Sequence, residues 1–280
     1  MIVVDFHNHS TYSDGLLTPS EMVERAYKNN VKYFSLTDHD TINGLEEATE
    51  TAKKFDITFI PGIELSTTHN NESIHILGFF KDNHYKSPEL LTYLNNIQER
   101  RIERAKKIVQ KLESEFNIYI SFEKVLNRGK EVVARPHIAY EIISSGYPYD
   151  MEYIFNNLIG KNCAAYVPTT KLSTKDGIKL IKNNGGLAVL AHPVLIKNSS
   201  LQEFLDLDID GIEAIYFQNT PSDEEKFIKF AKKNNLLITA GSDCHGNFKT
   251  DKRHGDIGGM KYKKEYLNEF LDALNRTESN

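Results

Sequence analysis

The chain has 280 residues, 40% of them hydrophobic and 26% charged, with a net charge of −5. This composition is that of a globular protein with a sizeable core, and its acidic balance excludes the broad basic surface of a non-specific nucleic-acid binder. Only Cys163 and Cys244 are present, so we expect no disulfide framework and a reducing compartment. No run approaches the roughly 18 apolar residues that span a bilayer, and no basic signal-peptide start precedes Ile2, so a cytoplasmic protein without a membrane partner is expected.

In the first third of the chain, short apolar runs alternate with helical patterns. Thr18 is placed to cap the first predicted helix. The predicted elements are, in chain order, strand Ile2–Phe6, helix Pro19–Asn29, strand Lys32–Leu36, helix Leu45–Lys54, strand Ile57–Ile60 and strand Ile74–Phe80.

The middle of the chain has a different pattern. From Ser87 to Glu115, apolar residues recur at helical spacing among many charges, which predicts a long amphipathic helix. Two further helical stretches follow at Pro136–Ser144 and Asp150–Leu158. We therefore predict a helical insertion at 96–167 that covers the substrate cleft.

The alternation resumes in the last third and ends with a helix from Lys263. Repeated strand–helix units predict an α/β fold with a parallel sheet, either a barrel or a doubly wound sheet, formed by residues 1–95 and 168–280. The elements before the last helix are helix from Thr174, strand Leu187–Ala191, helix from Leu201, strand Gly211–Tyr216, helix Ser222–Asn234 and strand Leu236–Ala240.

Histidines and carboxylates collect at the ends of the predicted strands. Eight of nine such residues directly follow a strand, and the ninth, His75, lies within one. Because the carboxyl ends of parallel strands meet at one rim, these side chains are expected to converge. The nine are His7, His9, Asp14, His39, Glu64, His75, His192, Asp243 and His245.

Imidazole and carboxylate ligands suit zinc, manganese and iron, so the rim is a candidate metal centre. A single His-x-His pair such as His7-Asn8-His9 is more often surface decoration, and only the shared placement of six histidines raises the metal interpretation above that alternative. His69, His84 and His254 lack this placement and are interpreted as surface residues. Asp5, Asp38 and Asp40 lie beside the candidate ligands and are candidates to orient their rings, although Asp40 equally suits a helix cap.

Taken in order, His7-Asn8-His9, Asp38-His39, Gly62-Ile63-Glu64, Ala191-His192-Pro193 and Asp243-Cys244-His245 resemble the polymerase-and-histidinol-phosphatase (PHP) family of metal-dependent phosphoesterases. The resemblance implies a distorted seven-stranded β/α barrel with two or three divalent ions, manganese first among them and zinc or iron as alternatives. It implies a first ion held by His7, His9, Glu64 and Asp243, a second held by Glu64, His75 and His192, and a third held by Asp14, His39 and His245.

The insertion refines the resemblance. The segment Ala134-Arg135-Pro136-His137, with Gly160-Lys161, resembles family members that cleave nucleotide phosphates, including nucleoside 3′,5′-bisphosphate phosphatases, mononucleotide phosphatases and 5′-to-3′ exonucleases on short RNA. Arg135 is a candidate phosphate clamp, with a solvated arginine as the equal alternative, and His137 and Lys161 are weaker candidates. A cyclic phosphodiesterase and a histidinol phosphatase are the alternatives within the family.

Charge counting supports a phosphate ester as substrate. Three divalent ions with Asp14, Glu64 and Asp243 leave the site at about +3, which a phosphate dianion and a hydroxide nearly neutralise. The hypothesis is that a metal-bridging hydroxide attacks phosphorus, with Asp243 or a histidine such as His192 managing the proton. An amidohydrolase on a similar barrel and a non-catalytic metal-binding module remain as rivals; the first usually has a lysine ligand, and no lysine occupies a motif position here.

Overall fold

The computed structural model of the chain describes residues 1–129, 132–168, 172–247 and 251–277. The chain divides into two compact units. The first, called the barrel unit below, comprises residues 1–91 and 171–280, and the second, called the helical unit, comprises residues 92–170. The predicted insertion at 96–167 lies within the helical unit.

The strands of the described residues are β1 Ile2–Asp5, β2 Tyr33–Leu36, β3 Thr58–His69, β4 Glu72–Phe80, β5 Leu172–Ser173, β6 Gly186–Leu190, β7 Gly211–Tyr216, β8 Leu237–Gly241 and β9 Lys261–Tyr262. They form one sheet in the order β8-β7-β6-β4-β3-β2-β1-β9, with β5 beside β3. β6 and β7 are buried along their whole length, as strands are when both faces of a sheet are covered.

The sheet is not wholly parallel, which corrects the prediction. The neighbours β1, β2 and β3 are parallel, as are β6, β7 and β8, but β4 is antiparallel to both β3 and β6. β3 and β4 form a hairpin across Asn70 and Asn71, whose φ angles are 48° and 60°. Two consecutive residues with positive φ match the twist of a tight hairpin, and asparagine tolerates that conformation.

β3 is longer than predicted, which places Glu64 inside a strand and not after one. The strand runs to His69 although it contains Pro61, the residue at which the sequence pattern ends it. Gly62 allows this continuation, because a Cβ there would lie 2.5 Å from Ser35 Oγ and 2.7 Å from the Thr37 side chain. The close approach of β2 to β3 therefore requires glycine at this position.

The two ends of the seven-strand run β8-β7-β6-β4-β3-β2-β1 meet and close a distorted barrel. The Phe6 amide donates to the Ala240 carbonyl at 2.9 Å, and the His9 amide donates to the Cys244 carbonyl at 2.9 Å. Asn8 and Cys244 form a parallel bridge just beyond the strand ends. The predicted α/β fold, a seven-stranded barrel with a helical insertion, is confirmed.

The helices of the barrel unit are α1 Pro19–Lys28, α2 Leu45–Ala52, α7 Thr174–Asn183, α8 Leu201–Leu205, α9 Pro221–Lys233 and α10 Lys264–Arg276. α1 begins as predicted, with the Thr18 hydroxyl accepting from the Glu21 amide and the Glu21 carboxylate accepting from the Thr18 amide. Among the described residues, no helix is both long and apolar enough to cross a membrane.

The helical unit comprises α3 Pro88–Phe116 from Thr92 onward, α4 Phe122–Gly129, α5 Arg135–Ser144 and α6 Met151–Asn157. The long amphipathic helix is confirmed as α3, and α4 was not predicted. Ile108 and Leu112 of α3 are fully buried against Val125, Ile142 and Ile154 of the other three helices. The unit therefore has an apolar core of its own.

Candidate metal centre

All nine predicted ligands lie in one connected cluster at a single end of the barrel. Each of the nine lies within 4.0 Å of at least one other through a nitrogen–oxygen pair. The barrel produces this convergence, because residues at the ends of β1, β2, β6 and β8 meet side chains from β3 and β4. His39 and Glu64, for example, form a bridge between the end of β2 and β3.

His7, His9 and Asp243 have the spacing of ligands around one ion, and Glu64 adjoins the two histidines. His7 Nε2 lies 3.1 Å from His9 Nε2, 3.2 Å from Glu64 Oε2 and 3.4 Å from Asp243 Oδ1. His9 Nε2 lies 3.1 Å from each of the same two carboxylate oxygens. Ligands that share an ion at about 2.0–2.2 Å are separated from one another by about 3–3.6 Å. The arrangement therefore fits a divalent cation.

Glu64 is the centre of the cluster. Its Oε2 faces the His39 Nδ1 at 3.1 Å as well as His7 and His9, and its Oε1 faces His75 Nδ1 at 2.8 Å and His192 Nε2 at 3.2 Å. Within the described residues, the buried atoms Glu64 Oε2, His39 Nδ1 and His75 Nδ1 have no hydrogen-bond partner. Buried polar atoms left unpaired cost about 1–3 kcal/mol each, and a shared cation satisfies such lone pairs.

Asp14 lies close to a further group of histidines. Its Oδ1 lies 3.3 Å from His245 Nε2 and 3.8 Å from His9 Nδ1, and its Oδ2 lies 3.9 Å from His39 Nε2. His39 thus presents one ring nitrogen to Asp14 and the other to Glu64. This double role differs from the implied partition, in which His39 serves only the ion on Asp14.

The carboxylates of the cluster shift the pKa values of the neighbouring side chains in favour of positive charge. Burial alone would raise the pKa of the Glu64 carboxyl, but His39, His7 and His75 hold it well below its ordinary value. Burial likewise opposes protonation of His9, yet Asp243 and Glu64 raise the pKa of that ring to about 10. Burial dominates at His39 and lowers its pKa to about 4. The charges of the cluster therefore favour bound cations, and with this pKa the His39 ring is neutral near pH 7.

Glu213 was missed by the sequence analysis. Its Oε1 lies 2.9 Å from His7 Nδ1, and its Oε2 accepts from the His192 amide at 2.7 Å. It therefore orients one ligand ring through the nitrogen that faces away from the cluster and also fixes the backbone of another ligand. The available signal was a single buried charge in the otherwise apolar strand Gly211–Tyr216.

His254 was wrongly interpreted as a surface residue. Its ring stacks on His245 with 4.1 Å between centroids, and its Nε2 lies 3.7 Å from Asp243 Oδ2. Asp251 Oδ2 holds the other ring nitrogen at 2.6 Å. Asp243 Oδ2 also accepts from the Tyr216 hydroxyl at 2.9 Å, and Asp243, His245 and His254 form a further group with the spacing of metal ligands.

Two ligand residues have strained backbones. His192 has φ 29° and Asp243 has φ 55°, the left-handed region that favours glycine. A non-glycine residue there costs about 1–3 kcal/mol and persists where the surroundings enforce it. At His192 the Glu213 carboxylate supplies part of this enforcement by accepting from the backbone amide. The strain turns both side chains toward the cluster.

The three predicted orienting aspartates hold backbone and hydroxyl groups. Asp5 accepts from the amides of Ser242 at 3.1 Å and Gly258 at 2.8 Å, which ties β1 to the segment after β8. Asp38 accepts from the Ser10 amide at 2.7 Å, and Asp40 accepts from the Ser66 amide at 2.8 Å. These aspartates therefore fix the loops that carry the ligands, while Glu213 orients a ring.

The predicted substrate-binding residues all lie in the helical unit. Arg135 Nη1 donates to the Ile159 carbonyl at 3.3 Å. His137 Nδ1 accepts from the Ala134 amide at 3.1 Å, so that nitrogen closes the first turn of α5. Lys161 is exposed on a turn.

The fold and this cluster define a metal-dependent enzyme of the α/β-barrel class. The family model for the PHP domain matches residues 5–95. A 3′,5′-nucleoside bisphosphate phosphatase from Chromobacterium violaceum is 33% identical over 253 residues, which are 88% of each chain. The 5′-3′ exoribonuclease Rnm of Salmonella typhimurium is 31% identical over 87% of this chain and 85% of the relative.

Solved structures give the same picture. A proposed metal-dependent phosphoesterase from Bifidobacterium adolescentis superposes with a TM-score of 0.81 at 28% identity, over 96% of this chain and 95% of that one. A protein of Chromobacterium violaceum described as an amidohydrolase, with bound sulfate and no metal, gives 0.80 at 29% identity over 96% of each chain. The chain belongs to the PHP family and is a metal-dependent phosphoester hydrolase. The family resemblance and the reaction class expected from the sequence are both confirmed.

Proposed function

We propose that the barrel unit binds two or three divalent ions, manganese first among them and zinc or iron as alternatives, and hydrolyses a phosphate ester of a nucleotide. The observation that carries the proposal is Glu64, a buried carboxylate that faces five imidazoles and lacks a hydrogen-bond partner at Oε2 within the described residues. We assign His7, His9, Glu64 and Asp243 to one ion. Glu64, His75 and His192 hold the second, and Asp14, His39 and His245 the third.

When bound, such ions stabilise the charge on phosphoryl oxygens and acidify a water. The protein contributes proton transfer, which we assign to Asp243 and His192. Their side chains are 8% and 12% exposed, whereas those of His7, His9 and Glu64 are at most 1% exposed. Tyr216 fixes the Asp243 carboxylate through Oδ2 and leaves Oδ1 toward the ligands.

The nucleotide assignment rests on the two named relatives, a nucleoside bisphosphate phosphatase and an exoribonuclease, which cover most of the chain. Arg135 is the proposed phosphate clamp, since the guanidinium group matches phosphate oxygens in geometry and charge. His137 and Lys161 are secondary candidates. Within the described residues, no lysine pairs with a carboxylate of the cluster, which disfavours a lysine-bridged amidohydrolase.

The test is a substrate screen with the manganese-loaded chain. Nucleoside 3′,5′-bisphosphates, mononucleotides and 5′-phosphorylated oligoribonucleotides are compared with cyclic nucleotides, histidinol phosphate and an uncharged amide. We expect turnover to be fastest on one of the first three classes and to stop on chelation. Faster turnover of a cyclic nucleotide or of histidinol phosphate would instead select that alternative within the family. A chain that retains its metals and turns over no phosphate ester would overturn the proposal.

A further inference from the structure

An exposed phenylalanine lies beside the metal cluster of the barrel unit. Phe217 directly follows β7, and 42% of it is exposed although every residue of that strand is buried. Its ring packs against Gly255, where a Cβ would lie 2.7 Å from Phe217 Cδ2. The Gly255 amide donates in turn to the Ser242 carbonyl at 2.8 Å, next to the ligand Asp243. The packing therefore holds an aromatic ring at the rim and leaves much of its surface open.

A second ring borders the same open space. His254 stacks on His245 with 4.1 Å between ring centroids, and His245 stacks on His9 at 4.3 Å. The three imidazoles form a column from the buried His9 outward to His254, whose side chain is 25% exposed. Phe217, His245 and His254 all line a cavity of about 190 Å³. The cavity therefore shares His245 with the metal cluster and presents two further aromatic rings to a ligand.

The polar groups of this cavity suit a neutral ligand better than an anion. Asp251 and Asp256 line it, and among the described residues no lysine or arginine does. Both carboxylates already have partners, because Asp251 Oδ2 lies 2.6 Å from His254 Nδ1 and Asp256 Oδ1 accepts from Arg25 Nε at 2.6 Å. A phosphate group would meet two carboxylates here, whereas a flat uncharged ring would meet aromatic faces and polar atoms at its edge.

We propose that Phe217 and His254 form a binding site for the nucleobase of the substrate, in which Phe217 is the specificity-determining residue. A nucleobase has apolar faces that stack on aromatic rings and a polar edge that hydrogen-bonds to groups such as carboxylates. Because the cavity adjoins the cluster at His245, one nucleotide can place its base in the cavity and its phosphate ester at the cluster. The choice of a nucleotide rests on the proposed function, whereas the stacking site can be occupied without hydrolysis.

The kinetic test compares a nucleoside 5′-monophosphate with ribose 5-phosphate, the same ester without its base, on the manganese-loaded chain. Phe217→Leu removes the aromatic face, so KM for the nucleotide should rise roughly 5- to 150-fold, the usual loss for one stacked base, with kcat unchanged. KM for ribose 5-phosphate should not change. Phe217→Tyr keeps the ring and should behave like the wild type. Tyr27→Leu is the matched control, because Tyr27 is 49% exposed and stacks on Phe55 outside the cavity.

The binding test uses 2-aminopurine riboside, a fluorescent nucleoside that carries no phosphate and is not hydrolysed. Stacking quenches its fluorescence, so the wild type and Phe217→Tyr should quench it, with manganese or with chelator, and Phe217→Leu should quench it much less. Quenching by a chain that turns over no phosphate ester would retain this site and reject the proposed function. The site is rejected if the wild type quenches the probe no more than a Phe217→Leu variant with the same unfolding temperature. It is also rejected if that variant raises KM for the nucleotide and for ribose 5-phosphate by the same factor.

Discussion

The barrel rim and the helical unit differ in the sign of the charge that they concentrate. At the rim, Glu64, Asp243, His7 and His9 are buried together, and buried atoms around Glu64 remain without hydrogen-bond partners among the described residues. In the helical unit, Arg135 donates to the Ile159 carbonyl and lies over the rings of Phe155 and Tyr166, and within the described residues it forms no ion pair with a carboxylate. Residues 92–170 contain eleven Lys and Arg against nine Asp and Glu, a net +2, while the whole chain carries −5, so the barrel unit carries −7.

Each unit carries the charge and the polar groups that suit the ligand proposed for it. The rim concentrates carboxylates and imidazoles, which suit cations, and the helical unit carries a net positive charge, which suits an anion. Hydrolysis of a phosphate ester needs groups that act on the scissile phosphate, the role proposed for the metal cluster, and groups that hold the substrate, the role proposed for Arg135. We therefore expect substitutions at the rim to weaken metal binding, and a substitution at Arg135 to weaken binding of the substrate phosphate.

The largest effect is expected at Glu64. Replacement by Gln keeps the volume but removes the charge shared among five imidazoles, so metal binding and turnover should fail together. We expect kcat/KM on a phosphate monoester to fall roughly 10³-fold or more. Manganese at 100 times its Kd should stabilise the wild type by about 2.7 kcal/mol in thermal unfolding and the variant by much less.

The matched control is Glu50→Gln, at an exposed glutamate that pairs with Lys53 on the surface. It should keep both turnover and the thermal response to manganese. A Glu64→Gln variant that keeps the wild-type metal content would contradict the central role given to this residue.

The next effect is expected at Glu213. Glu213→Gln weakens the interaction with His7 Nδ1, although an amide still fills the space. Loss of an outer partner of this kind typically costs 10–100-fold in metal affinity, and titration with manganese or zinc should reveal it. Glu225→Gln, a surface glutamate paired with Lys229, serves as control. Unchanged affinity in Glu213→Gln would show that the ring of His7 is held by the barrel backbone alone.

The rim was largely predictable from the sequence, whereas its outer shell was not. His7, His39, His192 and Asp243 follow strands, and barrel geometry alone brings strand ends together. Glu213 is separated from His7 by 206 positions and follows no motif, so only the register of β7 in the closed sheet shows its role.

The other features that the sequence analysis did not predict also have physical causes. The antiparallel β4 depended on the Asn70-Asn71 turn, and the length of β3 depended on a glycine contact with β2. Both are tertiary features that period counting does not detect.

A smaller effect is expected at His254, which lies at the edge of the ligand cluster. Its ring contacts Asp243 and His245 from outside the nine, so His254→Gln should weaken metal binding less than Glu213→Gln, by roughly 10-fold or less. His69→Gln is the control, because His69 pairs with Glu203 away from the cluster. A loss as large as that of Glu64→Gln would make His254 a ligand in its own right. Metal affinity equal to that of the control would leave it a packing residue.

The smallest effect concerns the cysteines, of which each unit has one. Cys244 lies between two ligands and is fully buried, and burial raises the pKa of its thiol to about 12. At pH 8 roughly 10⁻⁴ of a thiol with this pKa is ionised, and the thiolate is the reactive form. Cys163 in the helical unit is half-buried, with its thiol 3.2 Å from the Asn156 carbonyl.

A thiol reagent at pH 8 should therefore modify one thiol of the native chain, and Cys163→Ser should abolish that reaction. Both thiols should react in denaturant. If Cys244 reacts as fast as Cys163 in the native chain, the contact between the ends of β1 and β8 opens readily. The rim would then open in the absence of metal ions. The two units would differ in conformational order as well as in charge, because the helical unit has a packed apolar core.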